Sequence, residues 1–303
     1  MASLIVFLVG LAVVAGVLAL LLRVPAVAAW FARLRGLDRR WIFVAVWVLV
    51  MIPLLFPLKL PIAPTARAVE YYEEIEKLKP GDIVLLSADY DPASGPELGP
   101  MLRSSLTQLC RHKVKIVGDC LWPGGPPLLE QGFNEVARDS FHYKYGEDYV
   151  NLGFKEGREA VILAMGNSIP GTFASDFRGT PVTQLPLMNK VTNLSSVKLL
   201  VNISAGYPGT KEWVQQASRR FNLRIISGCT AVSAPEYYAY LQSNQLLGLL
   251  GGMAGAAEYE KMTGITGSAT KGMDAQSSVH LLIMLCILMG NLAHWAARRQ
   301  GER

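Results

Sequence analysis

Two apolar runs separated by an arginine-rich segment constrain this chain more than any other feature. Residues 3–22 contain no charged side chain, and residues 41–58 form a second such run with Pro53 and Pro57 near its end. Each approaches the length needed to cross a hydrocarbon core about 30 Å thick, and proline is tolerated within a membrane helix. Residues 279–297 make a third run, interrupted only by His280, Asn291 and His294. The expected plan is three transmembrane helices, two N-terminal and one C-terminal. A cleavable signal peptide opens on basic residues; residues 1–4 carry none, so 3–22 reads as a retained anchor.

The bias of Lys and Arg in short loops orients a membrane protein, positive side inward. Between the first two runs stand Arg23, Arg33, Arg35, Arg39 and Arg40 against a single acid, Asp38. After the third run come Arg298, Arg299 and Arg303 against Glu302. Three spans place both basic segments in the cytoplasm and everything between the second and third spans outside. Pro25 can open a short interfacial helix with Val27, Trp30, Phe31 and Leu34 on one face, Trp30 at headgroup depth and the arginines toward anionic lipid. A plain loop is the alternative. Membrane lipid is therefore an expected partner, in a plasma or bacterial inner membrane.

The formal net charge of +5 is a consequence of that topology. Once the arginines and acids of 1–58 and 276–303 are set aside, 21 basic and 22 acidic side chains remain between them, which removes the main support for nucleic-acid binding. The expected divisions are 1–58, carrying two spans and the cytoplasmic hinge 23–40; an extracytoplasmic domain at 59–263; a Gly/Ser/Thr-rich linker at 264–278; and the last span with its basic tail at 279–303.

Within 59–263 the pattern alternates. Apolar runs at 82–89, 114–119, 197–203 and 223–227, bounded by turn residues, read as strands covered on both faces. Segments 96–112, 126–141 and 209–221 have helical spacing, as does 66–78 before the first strand. Two shorter pieces, 149–152 and 160–165, are less clear; the second reads as a strand or as the opening of a helix. Residues 169–193, with Pro170, Pro181 and Pro186, read as a long irregular excursion. The expected fold is α/β: a doubly wound, mostly parallel sheet.

Such sheets bind ligands beyond the C-terminal ends of their strands. That edge should collect Asp89, Asp91, Asp119, Trp122, Ser204 and Thr230 as ligand-binding candidates, although short acidic residues in Asp91-Pro92 and before Pro123-Gly124-Gly125 are also ordinary turn chemistry. Phosphate-loop, nucleophile-elbow and zinc-helix motifs are absent, and two carboxylates without further acidic neighbours make a weak cation site. No catalytic residue, metal or cofactor is therefore expected. Of the four cysteines, Cys120 and Cys229 could pair only if their strands are neighbours, and Cys286 falls in the third run.

Residues 233–262 read as one helix opened by a Ser233-x-x-Glu236 capping box. Gly248, Gly251, Gly252 and Gly255 within it would each cost about 1 kcal/mol against Ala, and their four-residue spacing predicts a flat face for close helix packing, inside the domain or between subunits. Asn291, polar within the last span, is a further helix-packing candidate.

The segments 82–92 (DIVLLSADYDP), 235–240 (PEYYAY) and 248–260 (GLLGGMAGAAEYE) resemble those of uncharacterised bacterial membrane proteins with an extracytoplasmic α/β (Rossmann-like) domain. The resemblance implies an anchored topology and brings no activity with it. The expectation for function is a membrane-anchored, non-enzymatic scaffold in an oligomeric envelope assembly, contacting copies of itself or other membrane subunits. Two alternatives stand beside it: a small-molecule-binding or enzymatic domain using the strand ends, and an accessory subunit of a transporter.

Overall fold

The computed structural model describes residues 38–58 and 60–299. It divides into two units, 59–273 and the terminal segments 1–58 with 274–303. The first apolar run, and with it Arg23, Trp30, Arg33 and Arg35, lies outside the described residues.

In the terminal unit, α1 (Arg39–Leu55) opens on Asp38, whose carboxylate accepts from the Arg40 amide. Its 17 residues span about 26 Å, contain Pro53, and end where Phe56 leaves the helical region. That is shorter than the roughly 20 residues a crossing needs. Among the described residues one helix is long and apolar enough, Ser268–Trp295 with mean hydropathy 1.6. Of the three expected spans the structure shows one among the described residues, and the first run lies outside them.

The unit 59–273 is built on six strands, all parallel: β1 (Ile83–Asp89), β2 (Lys115–Cys120), β3 (Tyr149–Phe154), β4 (Leu199–Ser204), β5 (Ile225–Cys229) and β6 (Leu249–Gly251). Their order is β3-β2-β1-β4-β5-β6, the Rossmann-like doubly wound order that reverses between β1 and β4. Alternation sorts the core: Val84, Leu86 and Ala88 face one buried cluster, Leu85 the other. On the first face lie α2 (Ala66–Glu76), α3 (Gly95–Arg111) and α4 (Gly125–Gly132). On the second lie α5 (Glu159–Asn167), α6 (Thr210–Trp213) and α7 (Ala234–Gln242). The ambiguous 160–165 is thus helix. The excursion 169–193 does not project: Ile169, Phe173, Val182, Leu185, Leu187, Met188 and Val191 are buried in the second cluster.

The expected helix over 233–262 is three elements. α7 ends at Gln242, Asn244 turns the chain at φ 53°, β6 pairs with β5, and α8 (Gly252–Thr263) follows. The glycines do permit close approach, but at separate places instead of one face. A Cβ on Gly248 would run into the Tyr71 backbone, while Gly252 adopts φ 61° with Ala231 only 2.6 Å from where a Cβ would sit. The Ser233 capping box is not formed; Ser233 Oγ instead meets Thr230 Oγ1 at 3.0 Å, and Glu236 pairs with Lys211.

α8 is buried along most of its length, and two of its carboxylates hold the ends of the domain. Glu258 accepts from both the amide and the hydroxyl of Thr65, the N-cap of α2. Glu260, 1% exposed, accepts from the amides of Gly267, Ala269 and Thr270 and from the Thr270 hydroxyl. This fixes the start of α9 (Ser268–Arg299) inside the stretch expected as a linker. The composition of 264–278 suggests flexibility, but its helix is capped by a residue from another helix. In α9, Asn291 donates to its own helix, at the Ile287 carbonyl; Arg298 and Arg299 close the helix.

Placing Gly248 against the α2 backbone has a direct consequence. Gly248→Ala should lower the unfolding free energy of the full chain by about 1–3 kcal/mol, the usual cost of forcing an extra carbon into a packed core, with an unchanged denaturant slope. Unaltered stability would put Gly248 on a free face.

Candidate functional site

The expected ligand edge is organised by a polar row running through the sheet. Asp119 on β2, Ser87 on β1, Asn202 on β4 and Ser227 on β5 are consecutive register partners, so their side chains stand on one face. All four are fully buried, as is Asp89, two residues further along β1 on the same face.

Asp89 is held by four donors. The Leu121 amide and the Asn202 Nδ2 approach at 2.6 Å each, Ser87 Oγ at 2.9 and 3.0 Å, and Trp213 Nε1 at 3.2 Å. The chain of bonds continues from Asn202 Oδ1 to Thr210 Oγ1 at 2.8 Å and on to Ser227 Oγ at 2.7 Å. Asp119 has no such shell. Neither of its oxygens finds a hydrogen-bond partner among the described residues.

Burial dominates the electrostatics of both carboxyls. It pushes Asp89 up to about 7, against the pull of its donors. Asp119 is raised well above the carboxylate range, by burial first and by repulsion from Asp89 second. The Ser87 hydroxyl, already committed to Asp89, opposes that shift only in part. Two acids that repel each other in a buried site cannot both ionise at low cost, and both shifts run toward the neutral form.

The other candidates make hydrogen bonds within nearby turns and loops. Asp91 accepts from the amides of Ala93 and Ser94, capping the turn into α3. Ser204 Oγ is bound to Gly206, and Thr230 to Ser233. Trp122 Nε1 donates to the Pro208 carbonyl at 2.7 Å, joining the loop after β2 to the loop after β4. The sheet thus brings Asp89 and Asp119 together but seals them beneath loops. Ser87, Asn202, Thr210, Trp213 and Ser227 complete the arrangement and are missed by motif reading. The available signal is a polar residue at an inward position of an otherwise apolar strand, as in LLSAD and LLVNIS.

No group of three or more His, Cys, Asp or Glu among the described residues could hold a metal. Cys120 and Cys229 are free thiols; β2 and β5 are separated by β1 and β4, and burial pushes Cys229 up to about 12. Comparison with protein families, with curated proteins and with solved structures gives no match to this chain.

The acid pair makes stability depend on pH with a definite sign. Both groups keep protons in the folded state that the unfolded chain releases near pH 4. The folded form is thus favoured in acid and loses ground as pH rises from there, for Asp89 until about pH 7. Asp119→Asn should flatten the fall in melting temperature between pH 5 and pH 8. A slope equal to that of the unmodified protein would show that the pair is not titrating as described.

Proposed function

We propose that this chain is a membrane-anchored, non-enzymatic component of an oligomeric envelope assembly, with the α/β domain outside the membrane making the lateral contacts. The observation that carries this reading is the closure of the ends of β1, β2 and β4, where the strand order reverses. Where a doubly wound sheet ordinarily opens to a ligand, Asp89, Asp119 and Ser204 are fully buried and Trp122 is bonded across to Pro208.

The same edge carries apolar side chains on its outside. Phe154 ends β3, Tyr207 follows β4 and Val232 follows β5, at 38%, 55% and 92% exposure. Phe177 lies against Gly153 and is also exposed. Exposed aromatics of this kind are enriched at protein–protein contacts. The glycines around β6 and α8 are occupied within the domain, so the contact surface is assigned to this rim. The orientation rests on the arginines of 23–40 and 298–303 and the positive-inside bias.

Mass measurement of the detergent-extracted full chain tests the reading. A defined oligomer, reduced to monomer by Tyr207→Asp with Val232→Asp, is the expected result. A strictly monomeric unmodified protein with no co-purifying subunit contradicts it.

A further inference from the structure

One cavity in the α/β domain has the makings of a ligand site, and it lies away from the acid pair. It has a volume of about 180 Å³ and lies among Thr65 and Arg67 of the α2 start, Tyr238 of α7, and Gly251, Gly255 and Glu258 on one stripe of α8 and its cap. Ala231 and Gly251, which follow or end β5 and β6, also line it. It therefore opens at the carboxyl edge of the sheet, where doubly wound folds place ligands, but over the last two strands.

Three features of its wall are chemically incomplete. Glu258 is 8% exposed; its Oε2 takes both Thr65 donors, at 3.0 and 2.8 Å, while Oε1 accepts from no described residue. Glu258 lines the cavity with one carboxylate oxygen that takes no donor from the described residues, and such an oxygen suits a cationic group. Arg67 stacks on the Tyr238 ring at 4.3 Å and makes no ion pair among the described residues; in particular it does not neutralise Glu258. The first turn of α8 has neither a side-chain cap nor an acidic residue, so its amides and dipole present positive charge toward Gly251 and Ala254. A purely anionic ligand would meet Glu258, and a purely cationic one would meet Arg67 and the helix end.

We infer that this cavity binds a small zwitterion of amino-acid or dipeptide size, its ammonium on Glu258 Oε1 and its carboxylate on Arg67 and the first-turn amides of α8. Tyr238, Leu249 and Ala234 supply the apolar wall for the rest of the molecule. The site stands independently of the assembly reading, since it uses neither the aromatic rim nor the acid pair.

The test uses the detergent-extracted full chain with three probes at millimolar concentration: glycylglycine, acetate and ethylamine. Glycylglycine should raise the melting temperature by a few degrees and give a calorimetric binding signal, and neither single-charge probe should match it. Arg67→Gln should abolish the effect. Ala254→Leu, a cavity-filling change at an exposed helix position that leaves the Glu258–Thr65 bonds untouched, should abolish it as well. No response to glycylglycine overturns the proposal, as does an equal response to acetate alone or a glycylglycine response that survives Ala254→Leu.

Discussion

The ends of the α/β domain are held by two carboxylates on one buried helix. Glu258 and Glu260 of α8 take hydrogen bonds at the N-termini of α2 and α9, the segments through which the chain joins its apolar terminal regions. Charge-assisted bonds of this kind contribute about 1.5–3 kcal/mol each when well made. Their geometry depends on α8 being immobile. That is secured by Ala256, Ala257 and Tyr259, fully buried, by the edge-on contact of Tyr259 with Tyr71 at 5.0 Å, and by the bond from Tyr259 to Gln108 of α3. The Arg111 guanidinium reaches the Thr263 carbonyl at the other end of α8. Burial, capping and anchorage thus form one connected arrangement.

A second constraint runs across the sheet. Placing Asp119, Ser87, Asn202 and Ser227 in one row is expensive unless every polar atom is satisfied, and all but Asp119 are. A slip of one residue in any of these strands would turn its polar side chain toward the opposite apolar layer. The row therefore specifies register, and burial and the nearby Asp89 push the unpartnered Asp119 well above the carboxylate range, toward the neutral acid. The same row explains why the strand ends do not form a cleft. Asp89 is drawn inward by four donors, and the loops after β2 and β4 close over it through Trp122 and Pro208.

Four of the longer strands, β1, β2, β4 and β5, were legible because each is a largely apolar run bounded by turn residues, a pattern set by local sequence; β3 was less clear, its short run being interrupted by Asn151. β6 was not legible, since three residues, Leu249–Gly251, carry no period of their own and glycines on either side read as helix packing. The start of α9 was hidden for a different reason: its cap, Glu260, lies outside the segment it organises. Asp89 and Asp119 could be named from their positions at strand ends. That they share one buried network required knowing which strands are neighbours, and the β3-β2-β1-β4-β5-β6 order is a property of the assembled core. The cavity beside Arg67 and Glu258 was beyond reach for the same reason, because it joins residues nearly two hundred positions apart.

Native-state hydrogen exchange on the detergent-extracted full chain tests most directly whether α8 ties both ends of the domain to the sheet. The amides of Thr65, Ala269 and Thr270 should exchange only on global opening, together with those of Leu86 in β1 and Val201 in β4. Exchange of these three far ahead of the sheet amides would show the two ends opening on their own, and would contradict the account.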